Sequence, residues 1–522
     1  MSEKNKNAVK LVGFIMIITL MGKVLGLFRD QLLAWNYGVG VEANAFTSAS
    51  RIPRIFFDAV FASAVSSSFI PVFNEYLEKD GKKKAFEFSN NFISIVILVT
   101  ALMTVFGIVF APFLQNVFAG GFEGETARLC TELLRILFPM LIFTGVAFSY
   151  VGVLQSLDEF TIPAVMSVVS NGIIILYYFI FGTRFGVKGL AVAFIFGWFM
   201  QMAIQLPPLY KKGYRFKPVI NFKDEGIKKI GVLMLPVMVS TWIQPINIAI
   251  NGRYASGLFN GSGSSIVDYA NNLYSIIVSV FVLSIANVIF PKLSKQSANN
   301  DDKAYGQTVN STMKVLFFLL IPMMFGLIAL STPIVRLIYE WKEFDSTATM
   351  LTGNALAFFS IGMLAFGVQT ILSRAFYALQ DGKTPLITGI VSIGVNVLLC
   401  QLLVGRMNVS GLALASSLSS IISAILLIIP MRKRSKDIMN GIFFVSSLKM
   451  FISAIVMTVV VVFTRDFLYN MISDGLISRI LVVGVPTVIG VLVYMIIAYI
   501  LKIEESKFVF DFINKILNRF KK

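Results

Sequence analysis

The chain has 522 residues, of which 56% are hydrophobic and 14% charged, and its mean hydropathy is +0.79. A soluble globular chain is about 45–50% apolar and about 25% charged, so this composition excludes an ordinary soluble domain and points to lipid as the solvent. The formal net charge is +17 and there is no histidine, which removes the commonest general base, proton shuttle and metal ligand.

A helix needs about 20 mainly apolar residues to cross a bilayer. In chain order the candidate ranges are 10–35, 43–74, 92–113, 129–155, 162–181, 189–209, 230–256, 266–290, 313–333, 351–378, 385–403, 411–431, 444–464 and 480–501. The pattern predicts an all-α polytopic membrane protein with fourteen spans. Lys4, Lys6 and Lys10 precede the first apolar run, and no small-residue cleavage site follows it, so the run is expected to stay as span 1 rather than be removed as a signal. The second range contains Pro53, and the eighth starts polar. Cys130 and Cys400 fall inside apolar ranges and are expected as small buried hydrophobes.

The basic residues give this count an orientation. With the N-terminus inside, the inner segments hold 30 of the 45 Lys and Arg, among them Lys82-Lys83-Lys84, the stretch 211–229, Arg432-Lys433-Arg434 and the tail 502–522. The outer loops hold eight. That bias is what the positive-inside rule requires, and it places both termini on the cytoplasmic side. The net charge therefore reflects topology, and nucleic-acid binding is a poor reading of it.

A repeat runs through the chain. Gly189-Leu190-Ala191-Val192-Ala193 recurs as Gly411-Leu412-Ala413-Leu414-Ala415, Pro163 as Pro385, and Ser170-x-Gly172 as Ser392-x-Gly394, all at one offset of 222. Pro71 pairs with Pro291 at an offset of 220. Six spans per copy is an even number, so the copies share one orientation and are related by a pseudo-two-fold axis along the membrane normal. The expected layout is an N-lobe, 1–222, with spans 1–6; a C-lobe, 223–436, with spans 7–12; and 437–522, holding spans 13–14 and a basic tail.

Seven basic residues lie within spans. Lys23 and Arg29 are in span 1, Arg51 and Arg54 share a face of span 2, and Arg253 is near the outer end of span 7. Facing lipid, the first four would together cost on the order of 10 kcal/mol. Turned into a shared water-filled cavity, with Asp30 beside Arg29 and Asp58 a turn beyond Arg54, they make a cationic site for a phosphate or pyrophosphate group. Inter-helix ion pairing and snorkelling are the competing reading, strongest at Arg253. Arg135 has Glu132 three residues before it and is expected as its ion-pair partner. Arg374 reads as an interfacial anchor, and Asp158, Glu159 and Asp381 as turn or gate residues.

Catalysis is hard to build from this inventory. No phosphate-cradling P-loop is present, so no ATP motor is expected on the chain, and no cofactor is implied. The reading is a transporter, not an enzyme.

Several motifs have a familiar order. Lys23-Val24-Leu25-Gly26-Leu27-Phe28-Arg29-Asp30, Gly38-Val39-Gly40, Asn44-Ala45-Phe46, Arg51-Ile52-Pro53 and Phe69-Ile70-Pro71-Val72-Phe73-Asn74-Glu75-Tyr76 resemble the MurJ (MviN) lipid II flippase family, within the multidrug/oligosaccharidyl-lipid/polysaccharide exporter superfamily. Arg374-Ala375-Phe376-Tyr377-Ala378-Leu379-Gln380-Asp381-Gly382-Lys383-Thr384-Pro385 does so in the second copy. The resemblance covers nearly the whole chain. It implies export of lipid II, the undecaprenyl-pyrophosphate-linked peptidoglycan precursor, by alternating access in a bacterial cytoplasmic membrane. It implies that Lys23 and Arg29 match two essential basic positions of the first helix, with Lys23 in place of the usual Arg, and that spans 13–14 form a groove for the lipid tail. The chain departs from the family's pattern at Asn44, where Asp is common, at Phe57 and Asp58, where arginines are common, and at Asn272, where a cavity arginine is expected. Arg51, Arg54 and Arg253 are candidates to supply that charge. No sodium site of the family's kind is recognisable, and the coupling ion stays open. The alternatives are a flippase for another undecaprenyl-pyrophosphate glycan and a non-transporting scaffold of the cell-wall machinery. A drug antiporter suits a basic cavity poorly.

Overall fold

The computed structural model describes residues 3–60, 68–434 and 438–506, and every regular element among them is helical. The chain divides into two compact units, Met1–Ser265 with Trp341–Phe344, and Ile266–Glu340 with Asp345–Lys522. The sequence repeat leads to an expected lobe boundary at 222, whereas the first compact unit runs on through 265.

The first unit contains α1 (Glu3–Tyr37), α2 (Val41–Val60), α3 (Ile70–Lys79), α4 (Gly81–Val109), α5 (Ala111–Ala119), α6 (Gly124–Leu137), α7 (Met140–Ser156), α8 (Thr161–Phe181), α9 (Gly186–Ala203), α10 (Leu206–Lys211), α11 (Glu225–Thr241) and α12 (Ile243–Ser256). Helix α1 packs on α8, α2 on α6, and α12 on both α2 and α5. The second unit contains most of α13 (Gly263–Val278), then α14 (Ser284–Ala298), α15 (Asp302–Tyr339), α16 (Ser346–Ile361), α17 (Met363–Ala378), α18 (Lys383–Arg434), α19 (Gly441–Met471) and α20 (Leu476–Ile500). There α19 and α20 pack on each other and on α15.

Among the described residues, eight helices are long and apolar enough to cross a membrane, and two bent pairs raise the number to ten. One of the eight, α18, contains both expected ranges 385–403 and 411–431 and is broken at Asn408. The expected ranges 10–35, 43–74 and 230–256 are not among the ten. The first of these is part of the 35-residue α1, the second includes residues 61–67, outside the described residues, and the third breaks at Trp242. The basic tail beyond 506 also lies outside the described residues.

The offset of 222 holds at the level of single hydrogen bonds. The amide of Leu157 donates to the carbonyls of Val153 and Leu154, and that of Leu379 to Ala375 and Phe376. Glu159 N–H reaches back to Leu154 and Asp381 N–H to Phe376, both at 2.9 Å. Asp158 and Gln380, between them, have φ of 60° and 59°. The next helix is then capped by a carboxylate in each copy. Glu159 Oε1 accepts the Thr161 amide at 3.0 Å, and Asp381 Oδ1 accepts that of Thr384 at 3.0 Å. Asp158, Glu159 and Asp381, all three expected as turn or gate residues, are therefore at turns. Burial would raise the Asp381 pKa, but the Thr384 hydroxyl and amide outweigh it and hold the carboxyl below its ordinary range. The preceding spans bend alike, by 40° between α6 and α7 and by 44° between α16 and α17. Pro139, which lacks an amide, marks the first bend. Gly362 marks the second, where an added Cβ would come within 2.7 Å of the Ser417 backbone. Three further carboxylates cap helices. Asp224 accepts from Ile227 at 3.1 Å, Asp301 from Ala304 at 3.0 Å and Asp345 from Ala348 at 2.7 Å.

Cys130 and Cys400 are free and buried, as expected. Glu132 pairs with Arg128 at 3.1 Å and with Lys188 at 2.7 Å rather than with Arg135, which is exposed. The i,i+4 spacing to Arg128 and the nearby start of α9 win over the i−3 neighbour.

Candidate functional site

All seven residues expected to line or support a cationic site lie in the first unit. Their arrangement starts from two glycines. Gly22 and Gly26 are one turn apart on α1 and face α8, where a Cβ on Gly22 would come within 3.1 Å of Ser167 Oγ and one on Gly26 within 3.6 Å of Asn171 Nδ2. Small residues at this spacing let helix backbones approach closely in a bilayer. Arg29 is seven residues beyond Gly22, two helical turns along the same face, and so points at α8 as well.

Arg29 is bound on three sides. Its Nε and Nη2 donate to Asp30 Oδ1 at 3.0 and 2.7 Å, and its Nη1 donates to Asn171 Oδ1 at 3.1 Å. Its guanidinium carbon stands 5.1 Å from the centre of the Phe194 ring on α9, in cation–π range. The Asn171 amide nitrogen donates to the Gly22 carbonyl at 3.2 Å, so its two ends are used in one sense only: oxygen to the guanidinium, nitrogen to the backbone. The Arg29 and Asp30 side chains are 25% and 16% exposed. A charge at this depth is tolerable because it is paired, hydrogen-bonded and laid on an aromatic face.

Lys23 is half-buried one residue beyond Gly22. Six residues separate it from Arg29, which is about 9 Å along the helix and about 120° around it. The two basic side chains thus leave α1 on different sides. On α2, Arg54 forms an i,i+4 ion pair with Asp58 at 3.6 Å and is 71% exposed. Arg51 turns instead toward α12, where a Cβ on Gly252 would lie 3.4 Å from its Nη1. The neighbouring Arg253 donates from Nη1 to the Asn116 carbonyl of α5 at 2.9 Å. It fills the space a side chain on Gly120 would need, since a Cβ there would fall 1.4 Å from the same Nη1. Arg253 therefore sits at the last turn of α5, the negative end of its helix dipole, and Arg51 lies beside the adjoining Gly252. The structure brings together Arg29 with Asp30, Arg51 with the Arg253 segment, and Arg54 with Asp58.

Asn171, Phe194 and Asn116 were not among the expected site residues. The repeat carried a signal for one of them. Asn171 is the middle residue of Ser170-x-Gly172, and its counterpart 222 residues on is Ile393. A polar residue in one copy against an apolar one in the other marks a position that the shared scaffold does not require.

Asn44 is 2% exposed and uses its whole amide. Nδ2 donates to the carbonyls of Val39 at 2.7 Å and Gly40 at 2.6 Å, and Oδ1 accepts from the Ser265 amide at 3.0 Å and hydroxyl at 2.6 Å. An aspartate here would turn an oxygen toward the Val39 and Gly40 carbonyls, so Asn suits these partners. On α3, Glu75 pairs with Lys229 and, at 3.0 Å, with Lys79. The Lys229 and Lys79 hydrogen bonds hold its carboxyl down at about 2. Among the described residues no group of three or more Cys, Asp and Glu is placed to hold a metal ion.

A family model described as Lipid II flippase MurJ matches residues 33–500. A probable lipid II flippase MurJ of Buchnera aphidicola subsp. Schizaphis graminum is 28% identical over 504 residues, covering 95% of this chain and 98% of that protein. Its counterpart in Vibrio cholerae serotype O1 is 29% identical over 515 residues, covering 96% and 97%. A solved structure of the lipid II flippase MurJ in an inward closed conformation superposes with a TM-score of 0.77 at 25% identity, over 93% of this chain and 98% of that one. An inward-facing multidrug resistance MATE transporter of the MOP superfamily reaches 0.67 at 14% identity over 81% and 98%, which is a likeness of fold alone.

Proposed function

The chain belongs to the MurJ family of lipid II flippases, and we propose that it carries lipid II across a bacterial cytoplasmic membrane by alternating access, with both termini in the cytoplasm. The observation that carries the site reading is the hold on Arg29. Three of its N–H groups are engaged inside the protein, two of them by one oxygen of Asp30. Asp30 keeps the guanidinium neutralised and oriented while no substrate is bound. A pyrophosphate supplies two charged groups with the bidentate geometry that a guanidinium prefers, and competes with that single carboxylate oxygen for the same donors.

Lys23, Arg51, Arg54 and Arg253 are read as further basic contacts along the path of the head group. Asp58 keeps Arg54 in reach, as Asp30 does for Arg29. Outward movement of the anion is favoured by a potential negative inside, by about 2.3 kcal/mol per charge per 100 mV. Release requires that the contacts weaken in the outward state, since equal affinity in both states moves nothing. Helices α19 and α20, whose outer faces are apolar, are read as the groove for the lipid tail. The coupling ion is left open.

The test is complementation of a host depleted of its own lipid II flippase. The parent chain should rescue growth. Arg29→Ala should abolish rescue with the protein still inserted and abundant, and Lys23→Arg should be tolerated because the charge stays. Rescue by Arg29→Ala equal to the parent would remove the phosphate site from the proposal. Failure of the parent itself would favour another undecaprenyl-pyrophosphate glycan. Orientation is tested by reporter fusions, which should report cytoplasm after Lys84 and Lys217 and the outer side near Gly261 and Ser473.

A further inference from the structure

Residues 212–224, between α10 and α11, are a non-helical segment, with turns at 212–213 and 222–223, that the transport reading does not use. Tyr214 anchors one end, 1% exposed, with ring contacts to Phe86 at 5.3 Å and Tyr150 at 6.2 Å. From there the backbone is fastened along α4 by side chains. Asn90 donates to the Arg215 carbonyl at 3.3 Å, and Ser94 accepts the Val219 amide at 3.1 Å. Asn91 both accepts the Asn221 amide at 2.7 Å and donates to its carbonyl at 2.9 Å. These three α4 residues do for the segment what a neighbouring strand does in a sheet. Backbone groups satisfied in this way no longer resist transfer out of water.

The side chains this ladder presents are apolar and large. Val219, Ile220 and Phe222 are 50%, 53% and 58% exposed, and exposed Lys217 and Lys223 flank them. A basic flank around an exposed apolar tip is the composition of an interfacial membrane anchor. The second unit repeats the order of parts. Asn310, 220 residues beyond Asn90, accepts the amide of the buried Met439 at 3.0 Å. Arg432-Lys433-Arg434 comes before it, and the exposed Ile442, Phe444 and Val445 come after it.

We propose that residues 215–223 form a rigid wedge that binds the acidic phospholipid headgroups of the adjoining leaflet and seats Val219, Ile220 and Phe222 among the acyl chains. By the charge bias this leaflet is the cytoplasmic one, and in that respect alone the inference rests on the orientation given above. An acidic soluble protein is the competing ligand. A membrane surface is favoured because the apolar residues form a short tip rather than a concave face, and because they stand next to a chain that is already embedded.

The test uses full-length protein in nanodiscs, labelled at Ile220→Cys with an environment-sensitive fluorophore. Cys130 and Cys400 are buried, and the parent carried through the same labelling gives the background. In discs of mixed phosphatidylglycerol and phosphatidylcholine the emission should shift to the blue, resist acrylamide and be quenched by brominated lipid. Lys217→Gln with Lys223→Gln should lower the inserted-to-exposed ratio by about fivefold per charge removed at low ionic strength, and should have no effect in pure phosphatidylcholine. A label equally open to acrylamide in both discs overturns the proposal and leaves the acidic protein as ligand. A label that inserts regardless of the two lysines overturns headgroup recognition. No arm reads transport, so failure here leaves the flippase reading standing, and the reverse also holds.

Discussion

Between α7 and α8, and again between α17 and α18, the chain makes one turn with the same set of backbone bonds. Yet Asp158 corresponds to Gln380 and Glu159 to Asp381, so the residues differ while the geometry does not. A turn of this kind asks for a residue that tolerates positive φ and for a carboxylate within reach of the next helix's first amides, and more than one residue meets each demand. A few turns into α8 and α18 the relation reverses. Ser170 and Gly172 recur as Ser392 and Gly394, but between them Asn171 accepts from Arg29 while its counterpart Ile393 is apolar. The repeated scaffold sets where the helices run, and function departs from it one residue at a time.

The sharpest way to break this comparison is at the departure itself. Asn171→Leu removes the acceptor for the Arg29 guanidinium and the donor to the Gly22 carbonyl. A hydrogen bond to a charged group is worth about 1.5–3 kcal/mol, so rescue at limiting expression should fall by roughly 10- to 100-fold. Ile393→Leu, a volume-conserving change, should leave rescue near the parent level. Equal effects of the two substitutions would mean that the asymmetry carries no function.

The breaks after the two helices offer a second test. Gly182 and Asn408, which are four residues out of register under the offset of 222, adopt nearly one conformation, with φ of 57° and 51° and ψ of −131° and −130°. That region belongs to glycine, and a side chain there costs of order 1–3 kcal/mol. Gly182→Ala should therefore lower the midpoint of thermal unfolding, and Asn408→Gly should raise it. The opposite pair of signs would show that the two breaks are not equivalent.

The smallest expected effect is at the caps of α6 and α16. Asp345 accepts the Ala348 amide, whereas Glu123, at the matching position, makes no cap bond. Asp345→Ala should cost about 1 kcal/mol and Glu123→Ala a few tenths at most, read as a difference in unfolding midpoint.

Much of this architecture was legible in the sequence because lipid imposes a simple alphabet. Long apolar runs and one offset of 222 were enough to place most of the spans and the turns after α7 and α17, while the bends within two spans were not read from the sequence. Arg29 was legible as a functional candidate because a cation in an apolar run is costly wherever it points. Its partners were not. Asn171 is 142 residues away, and nothing in span 5 read alone separates an asparagine facing a guanidinium from one packed against another helix. Arg253 was grouped with the cavity residues by charge, but its neighbour is the end of α5, and a helix terminus exposes carbonyls that no residue type announces. Lys23 and Arg29 were grouped by proximity along the chain, and it is the rotation of α1 that separates them.

The carboxylate caps have a consequence for traffic. A helix N-terminus with open amides attracts any phosphate that comes near. In a protein proposed to move a pyrophosphate over tens of ångströms, each such terminus is a place for cargo to stall. At α8, α11, α15, α16 and α18 the amides already face Glu159, Asp224, Asp301, Asp345 and Asp381. An anion approaching these five entrances meets like charge, so these five helix ends are sealed against their own attraction.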